Sequence, residues 1–395
     1  MRYSLFFLCC LSAFSLAAQK ENSDLYLQRA QRILKKTPVI DTHIDFPYSL
    51  VERQEWYTPG YTALALRHPG GDFDHERAKA GGLYGAFMSI YIPASYQKMA
   101  PGASKALADS LIDMVHAIAR EYPDKFALAF RSTDILKNFK KGIVSLPMGM
   151  ENGAPIQTLA DVAYFHQRGI RYVTLTHSRD NQISDSSYDT LHTHGGLSDY
   201  GREVVREMNR VGILVDVSHL SDDAIRDVLD VATRPVIATH SACRHFTPGM
   251  ERNLSDELIR AIALQHGVIQ VPFSHYFLST HAREVFFQSE KEMKERGLDE
   301  HSPEARQFMR ESLGRSGISV RDVADHIDHI KKLVGVDYIG LGGDFDGVGQ
   351  ALPPDLADVS MYPNLIAELL RRGYSRQDIQ KICYQNMLRV WRASE

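Results

Sequence analysis

Short apolar, β-branched runs recur along this chain, and most are followed by a stretch patterned as a helix. The runs fall at residues 37–41, 84–92, 142–150, 171–176, 213–217, 235–239, 268–271 and 338–341. Between them stand "SKALADSLIDMVHAIAREY", "TLADVAYFHQRG", "DYGREVVREMNRVG", "SDDAIRDVLDVA", "SDELIRAIALQHG" and "VRDVADHIDHIKKLVG". Several of these begin near a Ser, Thr or Asp cap and several stop at Gly, as helices do. Near-continuous apolar strands alternating with helices belong to a parallel sheet covered on both faces, and eight is the number that closes a barrel. The expected fold is α/β, a single-domain (β/α)8 TIM-type barrel, with an open doubly wound sheet as the alternative. Residues 280–316, long, charged and partly helical, read as an excursion before the last strand rather than a second domain.

The N-terminus stands apart from this pattern. "MRYSLFFLCCLSAFSLAAQK" has an early Arg2, an apolar stretch and small residues at Ala17 and Ala18, which reads as a secretory signal peptide over residues 1–18. The apolar run is too short for a membrane anchor. Phe and Leu before Cys9 and Cys10 argue against lipid attachment there. The barrel domain is then 19–395, expected to be exported to the periplasm or the exterior after cleavage, without stable membrane insertion. The leader takes two of the four cysteines, leaving Cys243 and Cys383 as one disulfide or two separate buried thiols. A net charge of −4 without a basic run gives no field for nucleic acid, so a small-molecule or peptide substrate is expected.

Polar residues collect where the strands end. "VIDTHID" places His43 and Asp45 after the first strand, and "LPMGMENG" places Glu151 at the end of the third. His177, His219 and His240 follow the fourth, fifth and sixth, and Asp344 and Asp346 follow the eighth. In a parallel barrel these ends share one face, where active sites are built. His and carboxylate groups without cysteine suit Zn²⁺, with Mn²⁺, Fe²⁺ or Co²⁺ also compatible. His43, Asp45, Glu151, His219 and His240 are too many for one tetrahedral ion that keeps an open position. Two metals sharing Glu151 fit better, and a water between them would be largely ionised at neutral pH. Asp41 is read as a partner orienting His43. His192 and His194, in the loop after strand four, and His275, after strand seven, are weaker candidates that could line the mouth. His326 and His329 are read as a solvated or packing helix face.

With these residues in view, the chain resembles the renal (membrane) dipeptidase family of dizinc peptidases, from about residue 33 to 393. The resemblance rests on "DTHID", "GGLYGAFMSIYIP", "RGIRYVTLTH", "GREVVREMNRVGILVDVSH", "PVIATHS", "RN" at Arg252 and Asn253, "GLGGDFDGV" and "YPNLIAELLRRGYS". It implies a (β/α)8 barrel and two Zn²⁺ per chain, one held by His43, Asp45 and Glu151 and the other by Glu151, His219 and His240. It further implies that His177 contacts substrate and stabilises the oxyanion, that Arg252 receives the dipeptide's terminal carboxylate, and that Asp344 is the acid–base group. A homodimer and tolerance of D-residues on the leaving side follow from the same resemblance. The chain departs from the family in "ENG" where "EGG" is common, and in a His240-to-Arg252 spacing one residue longer. Two other readings remain open: an amidohydrolase-type barrel, whose usual bridging lysine strand four lacks, and a non-catalytic exported metal-binding barrel.

Overall fold

Strands that are apolar on both sides must be covered on both, and the chain does this by closing the sheet on itself. The computed structural model describes residues 24–299 and 302–395. In chain order the strands are β1 Val39–Ile44, β2 Leu83–Tyr91, β3 Phe126–Leu128, β4 Val144–Leu146, β5 Met148–Glu151, β6 Ile170–Thr174, β7 Leu214–Asp216, β8 Ile237–Ala238, β9 Val268–Val271 and β10 Ile339–Leu341. Every pairing between them is parallel. The sheet runs β1-β10-β9-β8-β7-β6-β5-β2, and β1 also pairs with β2. That last pairing makes the sheet an eight-stranded barrel and excludes the open doubly wound alternative.

All eight expected strands are present, with two differences. The run at 142–150 is two strands, because Pro147 has no N–H to donate; its carbonyl accepts from Met88 N at 2.8 Å. The first piece, β4, leans outward on β2 at Gly85↔Ser145 and carries β3 on its other edge. β3 is only three residues long and was not expected from the sequence.

Inside the barrel, Ile40, Phe87, Tyr172, Leu214, Ile237 and Val268 form an apolar plug with Leu388 and Trp391 of the closing helix Asn386–Ser394. Tyr172 fits there because its neighbour is bare: a Cβ on Gly149 would lie 1.9 Å from the Tyr172 ring. The crossover helices are capped as expected, with the side chains of Ser198, Ser221, Ser255 and Ser319 accepting backbone N–H groups.

The excursion is more helical than expected. Thr280–Glu295 and Pro303–Gly314 are helices, and Met293, Ala305, Met309 and Leu313 form a small core with Ala351. Cys243 and Cys383 are separate buried thiols, which settles that alternative. The expected leader, with Cys9 and Cys10, lies outside the described residues. Among the described residues no helix is long and apolar enough to cross a membrane.

Candidate active site

At the carboxyl ends of the barrel strands the structure brings the five expected ligands together around Glu151, the last residue of β5. Its two oxygens face different partners. Oε2 lies 3.4 Å from His43 Nε2, while Oε1 lies 3.1 Å from His219 Nε2 and 3.3 Å from His240 Nε2. Asp45 Oδ2 is 3.3 Å from His43 Nε2, and the His219 and His240 Nε2 atoms are 2.8 Å apart. His43, Asp45 and Asp344 form a second close set of donor atoms.

Plain strand alternation does not produce the His43/Asp45 step. The β1–β2 register shifts between Asp41 and Ile44, and Asp45 has already left the strand as N-cap of the helix Phe46–Glu52. Asp41 acts on the backbone of His43, not on its ring: its carboxylate accepts from the N–H groups of His43 and Gly343 and from the Tyr362 hydroxyl. The partner of the His43 ring is Tyr172. The Tyr172 hydroxyl donates to Thr42 O (3.0 Å), so at 3.1 Å it accepts from His43 Nδ1–H, which leaves Nε2 with a lone pair aimed at the ligand cluster.

His240 follows the same logic with a different partner. The Thr239 hydroxyl donates to Asp216 Oδ2 (2.6 Å) and so accepts from His240 Nδ1–H at 2.8 Å. Buried Asp216 also accepts from Thr174 Oγ1 and from the backbone N–H groups of Ser218 and Thr239, tying the ends of β6, β7 and β8 together.

Non-glycine residues in the left-handed region cluster here: His219 (φ 69°), Asp344 (φ 64°), Asp346 (φ 64°) and Asn152 (φ 76°). Such strain collects at functional sites. It also explains "ENG", since Asn tolerates this conformation better than most residues that could replace Gly. The Asn152 side chain is anchored to Ile92 O and Asn181.

Burial alone would raise Glu151, but His43, His177, His219 and His240 hold it well below the usual carboxylate range. Burial, aided by neighbouring positive charge, holds His219 and His240 well below the ordinary histidine value. Burial also opposes charge on His43, but Tyr172, Glu151 and Asp45 override it and raise the ring well above that value. Burial, with the Asp45 and Glu151 carboxylates adding to it, pushes Asp344 up to about 8. The buried His43 Nε2 and Asp45 Oδ1 atoms have no hydrogen-bond partner. Three imidazole Nε2 atoms converging with the Asp45 and Glu151 carboxylates at 2.8–3.4 Å fit divalent cations of the type bound by nitrogen and oxygen, which would take the place of protons there.

The ligands floor a pocket of about 570 Å³ whose wall includes His177, Tyr188, Tyr276 and Phe277. His177 is the most exposed of the expected site residues, its side chain 21% exposed and its Nε2 3.8 Å from Glu151 Oε1. Arg252 is buried against the site, donating to His240 O (2.8 Å) and Ser241 Oγ (3.0 Å), with Nη2 3.1 Å from His219 Nε2. Asp346 clasps a loop instead of joining the ligands: it accepts from Asp72 N and Phe73 N and donates its own N–H to Asp72.

The remaining histidines do not line this pocket. His275 is buried and donates from Nδ1 to Ala351 O, and the ring of His194 bonds Asn181 O. His192 also stays off the lining; from that loop Tyr188 reaches the pocket instead. His326 is the packing residue expected: Nδ1 accepts from Cys243 N and Nε2 donates to Leu278 O. His329 pairs with Asp256. Tyr91, at the end of β2, also faces the site, 4.8 Å from the His177 ring. It was readable by the same strand-end rule but is hidden in the apolar run "MSIYIP".

The membrane dipeptidase family (peptidase family M19) matches residues 27–395. This chain belongs to that family. Among curated proteins, the dipeptidase verJ of Clonostachys rogersoniana is 31% identical over 92% of this chain and 86% of its own length. An uncharacterised dipeptidase of Schizosaccharomyces pombe is 31% identical over 93% and 83%. Among solved structures, a metallopeptidase from Rhodobacter sphaeroides, bound to a phosphinate mimic of the dipeptide L-Ala-D-Ala, superposes with a TM-score of 0.74 at 25% identity, covering 91% of this chain and 99% of that one. The probable dipeptidase PvdM of Pseudomonas aeruginosa shares the fold, with a TM-score of 0.77 at 24% identity over 94% and 98%. As a membrane-dipeptidase family member the protein is a metallopeptidase, a peptide hydrolase, which sets aside the non-catalytic binding reading.

Proposed function

We propose that this protein is a two-zinc dipeptidase that accepts dipeptides, including those with a D-residue on the leaving side. The observation that carries the reading is Glu151 presenting one oxygen to His43 and the other to His219 and His240. When bound, two Zn²⁺ ions in these half-sites would polarise the scissile carbonyl and ionise the attacking water near neutral pH.

The chain's own residues supply the rest. His177, on the pocket wall, donates to the carbonyl oxygen as charge develops there. Asp344, buried beside Asp45 and returned to its ionised form by the positive charge of bound cations, takes the proton of the attacking water and passes it to the departing amine. Arg252 exchanges its contact with His219 for the substrate's terminal carboxylate, which a guanidinium binds as a fork. A tripeptide would carry that carboxylate one residue too far. The leader at residues 1–18 supports placing this activity outside the cytoplasm.

The test is hydrolysis of L-Ala-L-Ala, L-Ala-D-Ala and tri-alanine by the zinc-loaded full chain. Both dipeptides should be cleaved, and the tripeptide should show a kcat/KM at least roughly 100-fold lower. Equal cleavage of the tripeptide would remove the ruler role of Arg252, and inert dipeptides would overturn the reading.

A further inference from the structure

The site pocket has a neighbour. A second cavity of about 510 Å³ adjoins it, and the two share Tyr188, Tyr276, Phe277, Gly347 and Val348, with the acidic Glu52 and Asp346, as a common wall. The far side of this chamber is built by the excursion: Phe286 and Met293 from one helix and Ala305 and Met309 from the next are its apolar part, with Glu290 and Arg306 on the same helices, closed by Ala351. Glu52, Arg53 and Glu290 supply polar groups to its lining. A dipeptide of small residues fits the first pocket alone and leaves the second without a function.

We propose that this chamber receives a bulky apolar side chain on the C-terminal residue of the dipeptide, an assignment that rests on the dipeptidase reading. Two anchors for that residue flank the passage between the cavities. Asp344, assigned to its amide nitrogen, lies three positions before Gly347 in the same loop. Arg252, assigned to its carboxylate, has its guanidinium carbon 5.0 Å from the centre of the Phe277 ring. The Cα between those two groups therefore faces the doorway formed by Phe277, Gly347 and Val348. Gly347 lies directly against the site carboxylates, where a Cβ would meet Asp45 Oδ2 at 2.2 Å and Asp344 Oδ1 at 2.6 Å, so the doorway adjoins the reacting centre. Beyond the doorway, Met293 and Met309 offer flexible, polarisable surfaces that adapt to more than one side-chain shape. A Phe or Leu side chain would bury its surface there, whereas an alanine methyl would not reach.

The experiment compares kcat/KM for Ala-Ala, Ala-Phe and Phe-Ala on the zinc-loaded full chain, for wild type, Ala305→Leu and Phe286→Ala. Ala305→Leu narrows the chamber, and Phe286→Ala removes part of its wall at a half-buried position. Wild type should favour Ala-Phe over Ala-Ala by roughly tenfold or more. Ala305→Leu should reduce that ratio by about tenfold and Phe286→Ala by a smaller factor, while the Phe-Ala to Ala-Ala ratio moves with neither. The proposal is overturned if the Ala-Phe ratio ignores both substitutions, or if Phe-Ala shifts equally. Failure of wild type to cleave Ala-Ala would instead overturn the dipeptidase reading, and the chamber assignment with it.

Discussion

His43 and Asp45 reach the ligand cluster two residues apart from one strand end, whereas His219 and His240 come from the ends of two neighbouring strands, β7 and β8. The supports differ as well. The His43 ring rests on a neutral hydroxyl, Tyr172, and has carboxylates beside it, Asp45 and Asp344. The His240 ring rests on Thr239, which leans on the buried charge of Asp216, and its neighbour His219 has the Arg252 guanidinium 3.1 Å away. One half carries its negative charge in front of the cation position, and the other carries it behind. On the proposed two-cation reading, the halves need not repeat one design: what they must share is Glu151.

Substitutions can break or sharpen this contrast. Removing the shared group should do most. Glu151→Ala should abolish tight metal binding in both halves and lower kcat/KM by more than about 10⁴-fold, as read by metal analysis and dipeptide turnover. Asp344→Asn should keep the metal content of wild type yet lower kcat by a factor on the order of 10²–10⁴; unchanged turnover would remove Asp344 from the mechanism.

The supports separate the halves. Asp216→Asn and Tyr172→Phe should each weaken one cation by roughly 10- to 100-fold and leave the other in place, with the charged support the larger of the two. Competition against a chelating dye would resolve this, and equal loss of both cations in either variant would deny that the halves are separately supported. The smallest effect is on folding stability. A cation present at 100 times its Kd adds about 2.7 kcal/mol, so chelation should lower the melting temperature of wild type and leave that of Glu151→Ala unmoved.

Much of this was readable because parallel barrel strands are apolar throughout, so their ends stand out wherever a His, Asp or Glu interrupts the run. His43, Asp45, Glu151, His177, His219, His240 and Asp344 were found that way. The supports were not. Tyr172 lies inside an apolar strand and reads as core, which it also is; its hydroxyl reaches His43 by crossing the barrel interior from β6 to β1, two strands that are not neighbours in the sheet. Asp41, nearer in sequence, reads as the residue that orients His43, yet it holds only the His43 backbone, and its carboxylate turns toward Gly343 and Tyr362. His275 follows β9 at the expected place, but the loop after β10 draws its ring to Ala351. The second chamber was out of reach for a similar reason: it exists only where the excursion helices fold back over Tyr276 and Val348.

If one carboxylate serves two unlike cation sites, diffraction from zinc-loaded crystals at the zinc absorption edge should show two anomalous peaks roughly 3.5–4 Å apart, each about 2.0–2.2 Å from a different oxygen of Glu151. A single peak, or two peaks of which only one touches Glu151, would contradict it.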